Sequence, residues 1–132
     1  MKELSLILKL ISPVFIVIGL VHLSIGLNAD LALGAMMPAS VINDPVLDSQ
    51  NRFFGVSFTI NGFLFYLCST DLFKYRSVFY ILLAVFFAGG IARLVSIAVV
   101  GLPSMQIIAL TLVEIVVPPL LTIWFRKSVV QR

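Results

Sequence analysis

Apolar residues fill four long stretches of the chain, and short polar segments separate them. The stretches cover residues 4–27, 53–69, 78–100 and 105–125. A helix needs about 20 mostly apolar residues to cross the roughly 30 Å of hydrocarbon in a bilayer. Each stretch is therefore predicted to be a membrane-spanning helix. The pattern predicts an all-α polytopic membrane four-helix bundle, which forms one domain over residues 1–132 and has a long loop at 28–52.

Three local signals predict where helices begin or bend. Asp44 followed by Pro45 is typical of an N-cap and first helical position, so the second helix is predicted to begin about two turns before its apolar part. Asn28-Ala29-Asp30, followed by apolar residues, predicts a short helix in the membrane interface that acts as a lid. Pro118-Pro119 are predicted to kink the fourth span.

The composition agrees with a membrane protein and excludes most soluble classes. Hydrophobic residues make up 61% of the chain and charged residues 11%, whereas soluble domains carry about 25% charged residues. Membrane lipid is therefore the expected partner of much of the surface, and neither a disordered chain nor a nucleic-acid binder fits, despite a net charge of +3. One cysteine and one histidine cannot form an internal disulfide or a Cys/His zinc site, and we expect no cofactor and no metal.

Charged residues flank the spans unevenly. Basic residues lie before or near the start of the first span, separate the second from the third and follow the fourth: Lys2, Lys9, Lys74, Arg76, Arg126, Lys127 and Arg132. The first loop instead carries Asp30, Asp44 and Asp48. Because basic flanks of spans stay in the cytoplasm, we predict that both termini are cytoplasmic and that the loop at 28–52 lies outside.

Small and polar residues recur every three or four positions in each span. In a membrane this spacing marks the helix face that turns towards other helices. The stripes are Ser12, Gly19, His22 and Gly26; then Asp48, Asn51, Arg52, Gly55, Thr59 and Gly62, with Asn61 beside them; then Gly89, Arg93 and Ser96; and finally Thr111, Glu114 and Pro118. The Phe-rich runs are predicted to face lipid or to fill packing space.

Arg93 and Glu114 carry the central site hypothesis. At 1.5 Å of rise per residue, they lie about 10 and 14 Å from the outer ends of their spans. Ionisable groups in a span cost a few kcal/mol, so they face inward and pair, and we predict that these two meet. One interpretation is an ion pair that only locks spans three and four together. The other is a site in which Arg93 binds an anionic or carbonyl group while Glu114 orients it.

Five further residues are predicted to complete a polar pocket in the outer half of the bundle: His22, Asn51, Arg52, Asn61 and Ser96. Structural interpretations compete with this role. His22 is also typical of a hydrogen-bonded interior residue, Arg52 of a helix-surface pair with Asp48, and Asn61 of an interhelical contact.

The first and third spans share a short motif. Gly19-Leu20-Val21-His22-Leu23 matches Gly90-Ile91-Ala92-Arg93-Leu94. This echo predicts two parallel two-helix halves, with His22 and Arg93 at equivalent depths facing one interior.

Several motifs carry a resemblance to a known family. They are Ala92-Arg93-Leu94-Val95-Ser96 with Gly101, Pro103-Ser104, Glu114 and Pro118, together with Gly19-x-x-His22 and Asn51-Arg52-Phe53-Phe54-Gly55. Over nearly the whole chain they resemble a family of small bacterial four-span proteins known only as a domain of unknown function. More distantly, the architecture is similar to DoxX and DoxD-like proteins, which are linked to quinone-coupled redox chemistry. The resemblance implies a multi-pass protein of the bacterial inner membrane and a lipophilic or quinone-like ligand.

Three functions stay open at this point. The first is the binding of a lipophilic, quinone-like or lipid-like small molecule in the polar pocket. The second is a structural or accessory subunit with a membrane protein partner. The third is proton-coupled transport through Glu114 and His22, which needs a homo-oligomer because four spans are few for a transporter. No nucleophile elbow, phosphate loop or metal-ligand spacing occurs, so an enzyme is not the favoured interpretation.

Overall fold

Four long helices make up most of the chain. A computed structural model describes residues 2–130, with side chains over 2–128. Its helices are α1 (Lys2–Ile25), α2 (Asn28–Ala32), α3 (Ala39–Ile42), α4 (Pro45–Thr70), α5 (Arg76–Val100) and α6 (Met105–Val130). The helices α1, α4, α5 and α6 are each long and apolar enough to cross a membrane. The predicted all-helical class and the four candidate spans are confirmed, while Arg132, used above to orient the chain, lies outside the described residues.

The helix ends follow local chemistry. Asp44 has an extended backbone, and its Oδ1 accepts the amides of Val46 and Leu47 at 2.8 and 3.0 Å. The predicted N-cap is thereby confirmed, and α4 begins eight residues before the apolar stretch at 53–69. Gly26 follows α1 with a φ of +56°, the left-handed conformation that commonly closes a helix.

The loop between α1 and α4 contains two short helices. The predicted helix after α1 forms as α2, but it begins at Asn28 without a side-chain cap. The second short helix, α3, is not among the elements predicted from the sequence. Ala29 of α2 is fully buried, whereas Met36 beyond it is fully exposed, so α2 packs on the bundle and the segment after it does not.

The long helices form two antiparallel pairs, α1 with α4 and α5 with α6. Small residues let α1 and α4 approach until their backbones touch. A Cβ atom on Gly19 would lie 2.6 Å from the Gly55 carbonyl oxygen, and one on Gly55 would lie 2.5 Å from the Leu23 amide nitrogen. A third contact brings Gly62 to the Ser12 carbonyl oxygen. The small-residue stripes predicted for these two helices are therefore their contact surfaces.

The apolar core lies towards the end of the bundle where α1 begins and α6 finishes, called here the terminal end. Its buried members are Leu4, Leu8, Phe65, Cys68, Leu72, Phe79, Leu82, Leu83 and Phe125. The opposite end, called the loop end, carries α2 and α3 together with His22, Asp48 and Arg52 of the long helices. The polar contacts described below lie in the middle of the bundle and at the loop end.

The helix α6 continues through Pro118 and Pro119 without interruption. Proline has no amide hydrogen, so Pro118 cannot donate to the carbonyl of Glu114, four residues before it. The hydroxyl of Thr122 donates to the Pro118 carbonyl at 2.9 Å. The prolines thus remove backbone hydrogen bonds next to Glu114, and the helix does not end there.

Candidate functional site

Arg93 and Glu114 meet, as predicted, between α5 and α6. The Nε of Arg93 donates to Glu114 Oε2 at 2.7 Å. The Glu114 side chain is only 8% exposed, and that of Arg93 is 32% exposed. Among the residues whose side chains the structure describes, none accepts a hydrogen bond from the two Nη groups of Arg93. The guanidinium is therefore held by one edge and keeps its terminal donors free.

Two glycines on α5 shape the surroundings of this ion pair. A Cβ on Gly90 would lie 3.1 Å from the Glu114 Cβ and 2.9 Å from the Ile115 side chain, so a larger residue would push α6 away. At Gly89 the nearest atom to an added Cβ is Glu114 Oε2, at 4.0 Å. Gly90 thus allows the close approach that lets Arg93 reach the carboxylate, and Gly89 leaves the space beside that carboxylate open.

A cavity of about 540 Å³ lies between α4 and α5 and reaches this ion pair. Its walls combine aromatic and aliphatic residues with a few polar groups: Phe54, Ser57, Phe58, Asn61, Val85, Phe86, Gly89, Arg93 and Glu114. Phe54 and Val85 are each more than half exposed. The cavity therefore opens sideways, on the surface between the two helix pairs that lipid would cover.

A smaller, apolar chamber of about 120 Å³ also borders Glu114. Residues of all four long helices line it, and it shares Phe86 and Glu114 with the larger cavity. Pro118 also lines it, so there is space between Glu114 and the prolines of α6. Glu114 and Phe86 therefore border both spaces.

His22 and Asn51 lie in a different network, at the loop end. The Nδ1 of His22 is 2.8 Å from the Ile18 carbonyl oxygen, and its Nε2 is 3.3 Å from Asp30 Oδ1. The Nδ2 of Asn51 donates to Asp30 Oδ2 at 2.6 Å, while Asn51 Oδ1 is buried without a partner among the described residues. One carboxylate from α2 thus links α1 to α4.

Arg52 belongs to the same end of the bundle. Its Nε donates to Asp48 Oδ2 at 2.7 Å, which confirms the predicted helix-surface pair. Its Nη1 donates to the carbonyls of Leu23 and Ser24, both at 2.9 Å. Arg52 therefore closes the end of α1, where carbonyls lack helical partners, and does not line the cavity.

The structure brings together three of the seven residues predicted for one pocket, and it separates the other four from them. Asn61, Arg93 and Glu114 share the cavity, whereas Ser96 is exposed on α5. His22, Asn51 and Arg52 lie outside because Asp30, Asp48 and the end of α1 engage their polar atoms.

Several residues that line the cavity are absent from the predicted pocket, above all Ser57 and the aromatic residues. A signal for Ser57 is present, since it precedes Asn61 by four positions and therefore shares its face of α4. The aromatic residues give no comparable signal, because a lipid-facing and a cavity-lining Phe have the same local pattern.

The motif shared by the first and third spans corresponds to similar local contacts in α1 and α5. Gly19 and Gly90 each lie where their helix contacts its antiparallel partner. His22 and Arg93, three residues later, each contact a carboxylate. They do not face one interior as predicted, because the first carboxylate comes from the loop helix α2 and the second from α6.

Comparison with known families gives one match. The model of a family described as a domain of unknown function, DUF4345, matches residues 4–125. Neither the curated proteins nor the solved structures give a match. Among the residues that the structure describes, no group of three or more His, Cys, Asp or Glu is placed to hold a metal ion. The matched range contains the cavity and the loop-end network, so both belong to the family's domain.

Proposed function

Since the chain belongs to the DUF4345 family, a domain of unknown function, we propose from its geometry that it binds a lipophilic small molecule in the cavity between α4 and α5. One observation carries the proposal: a guanidinium with free Nη donors lines a cavity of about 540 Å³ with otherwise mainly apolar walls. Small-molecule sites commonly have volumes of about 300–1,000 Å³, with apolar walls and a few polar groups that fix orientation.

The ion pair provides the polar end of this site. Glu114 holds Arg93 through Nε, so the guanidinium is oriented before any ligand arrives, and its Nη groups can donate to an oxygen-bearing head. Asn61 lines the same space, and its amide has no hydrogen-bond partner among residues 2–128. A head with one or two acceptor oxygens matches these donors.

The apolar end of the site is made by Phe54, Phe58, Val85 and Phe86. Rings and aliphatic chains gain about 25 cal/mol per Å² when they leave water, but a ligand dissolved in the bilayer has already gained this. Affinity from the membrane must therefore come mainly from the polar head and from close packing. The sideways opening lets such a ligand enter from the lipid without crossing water.

The resemblance described above adds two finer expectations to the proposal. They are a location in the bacterial inner membrane and a quinone-like ligand, by distant similarity to DoxX and DoxD-like proteins. A lipid-like ligand with a carbonyl head would use the same donors.

Native mass spectrometry of protein extracted with its lipids tests the proposal. We expect a small molecule to remain bound to the wild-type chain and to be lost from Arg93→Met, which removes the donors. Asn61→Leu keeps the ion pair and nearly the same side-chain shape but removes the amide that lines the cavity, so we expect it to lose part of the bound ligand. Arg76→Met, at the start of α5 and outside the cavity, is the control that keeps the ligand.

Two results would contradict the proposal. One is equal ligand occupancy in the wild type, Arg93→Met and Asn61→Leu. The other is a wild-type chain that carries no small molecule and instead stays attached to a protein partner, which would favour the accessory-subunit hypothesis. Circular dichroism of each variant checks that loss of ligand is not loss of fold.

We propose that both chain termini face the cytoplasm. Lys2, Lys9, Lys74 and Arg76 lie at the terminal end, while the loop end carries Asp30 and the other acidic residues of the loop, as expected when basic flanks stay inside. A fluorescent protein fused to the C-terminus is expected to fluoresce, and alkaline phosphatase fused there to be inactive. Fusions placed in the loop after residue 36 should give the opposite pair of results. An active phosphatase at the C-terminus would reverse the orientation.

A further inference from the structure

We infer that the cavity selects uncharged ligands with a hydrogen-bond-accepting carbonyl over anionic ligands of the same shape. This inference rests on the proposed function and narrows its ligand class. Its basis is the net charge of the ionisable residues that line the cavity. Arg93 and Glu114 are its ionisable residues within the described part of the chain, and their contact at 2.7 Å leaves the wall with no net charge.

An anionic head gains little from this arrangement. It would be attracted by the guanidinium and repelled by a carboxylate that lies against the same guanidinium, and the two effects largely cancel at similar distances. It would also lose its hydration in a space bordered by aromatic rings, which is costly for any unpaired charge. Arg93 is already neutralised, so an anion entering the cavity would have no counter-charge of its own.

The carboxylate is also open to the cavity. At Gly89, the only neighbouring atom that an added Cβ would meet within 4 Å is Glu114 Oε2. No side chain at position 89 shields this oxygen from a ligand. An anionic oxygen that approached the free Nη groups of Arg93 would therefore also face the Glu114 charge.

A neutral carbonyl meets neither difficulty. It accepts hydrogen bonds from the Nη groups of Arg93 or from the Asn61 amide, and it gives up less hydration than an ion when it leaves water. The loop-end network offers an anion in the cavity no free arginine, because Arg52 is paired with Asp48 outside the cavity.

The test compares a radiolabelled fatty acid with its methyl ester, at a pH at which the acid is ionised. The full chain is embedded in nanodiscs, and binding to empty nanodiscs is subtracted because both probes dissolve in lipid. We expect the wild-type chain to bind the ester about tenfold more tightly than the anion. Glu114→Gln keeps an oxygen acceptor for Arg93 Nε and removes the opposing charge, so we expect it to bind the anion about tenfold more tightly than the wild type does.

Asp48→Asn is the matched control, since it removes a carboxylate that pairs with an arginine outside the cavity; it should leave the wild-type preference unchanged. The inference fails if the wild-type chain prefers the anion, or if Glu114→Gln does not raise anion binding. It also fails if Asp48→Asn changes the preference as much as Glu114→Gln does. The proposed function, by contrast, fails if neither probe binds, or if Arg93→Met binds both as well as the wild type does.

Discussion

Glu114→Leu is expected to lower the free energy of unfolding by about 3 kcal/mol, because it leaves the Arg93 charge without its partner. Removing one member of a buried ion pair costs about 3–5 kcal/mol, and a single charge in a span costs about 2.5–3.5 kcal/mol on insertion scales. The guanidinium is one-third exposed, which favours the lower part of these ranges. Reversible unfolding in mixed micelles, followed by circular dichroism, measures the change.

The double variant Arg93→Met/Glu114→Leu distinguishes the effect of the unpaired charge on stability from the effect of side-chain packing. Replacing both members of a buried pair by apolar residues of similar size is often neutral or stabilising, so we expect it to recover most of the stability lost by Glu114→Leu. A double variant as unstable as the single one would show that packing around residue 114 matters more than the charge. If Glu114→Leu alone has the same free energy of unfolding as the wild type, the Arg93 charge does not need Glu114 as its partner.

The same double variant decides between the two interpretations of the ion pair that the sequence left open. If the pair only locks α5 to α6, an apolar replacement that preserves stability should also preserve ligand occupancy. If the pair is the polar end of a binding site, the stable double variant should lose the ligand. Stability and occupancy measured on one sample therefore distinguish a structural pair from a functional one.

Gly55→Ala is expected to cost about 2–3 kcal/mol, although alanine is the better helix former. The added methyl group would lie 2.5 Å from the Leu23 amide nitrogen and 2.7 Å from the Gly19 carbonyl oxygen. Both atoms are backbone, so α1 and α4 would have to move apart along their main contact. The same unfolding measurement as for Glu114 reports the loss.

Gly89→Ala is the matched control for this prediction. It is another glycine within a long helix, but an added methyl group there meets its nearest neighbour at 4.0 Å. We expect it to be neutral or to stabilise by up to about 1 kcal/mol, the usual gain of alanine over glycine in a helix. Equal losses in both variants would mean that the contact between α1 and α4 is not what makes Gly55 necessary.

The ion pair illustrates how a contact between distant residues can be predicted from a sequence. Arg93 and Glu114 lie in adjacent spans joined by a short connection, so the helix rise places them at similar depths. The cost of leaving either charge in lipid then requires that they meet. No knowledge of the crossing angle is needed, because the long arginine side chain covers the remaining distance.

His22 illustrates where such reasoning stops. Its depth and its place in the stripe are readable from the sequence, but its partner Asp30 lies on α2. The path of that loop is not determined by hydrophobic periodicity, so nothing local indicates that Asp30 turns back over α1. The prediction therefore assigns His22 to the pocket, whereas the structure assigns it to the loop-end network.

The sequence by itself determined the number of candidate spans, the N-cap at Asp44 and the meeting of Arg93 with Glu114, because each depends on local spacing or on the cost of an unpaired charge in lipid. Only the tertiary structure decided where the cavity lies and which residues line it. The space between α4 and α5 exists because each of them packs closely against another helix, at Gly55 and at Gly90. How far two helix pairs separate depends on all their contacts together, and no single segment of the chain encodes it.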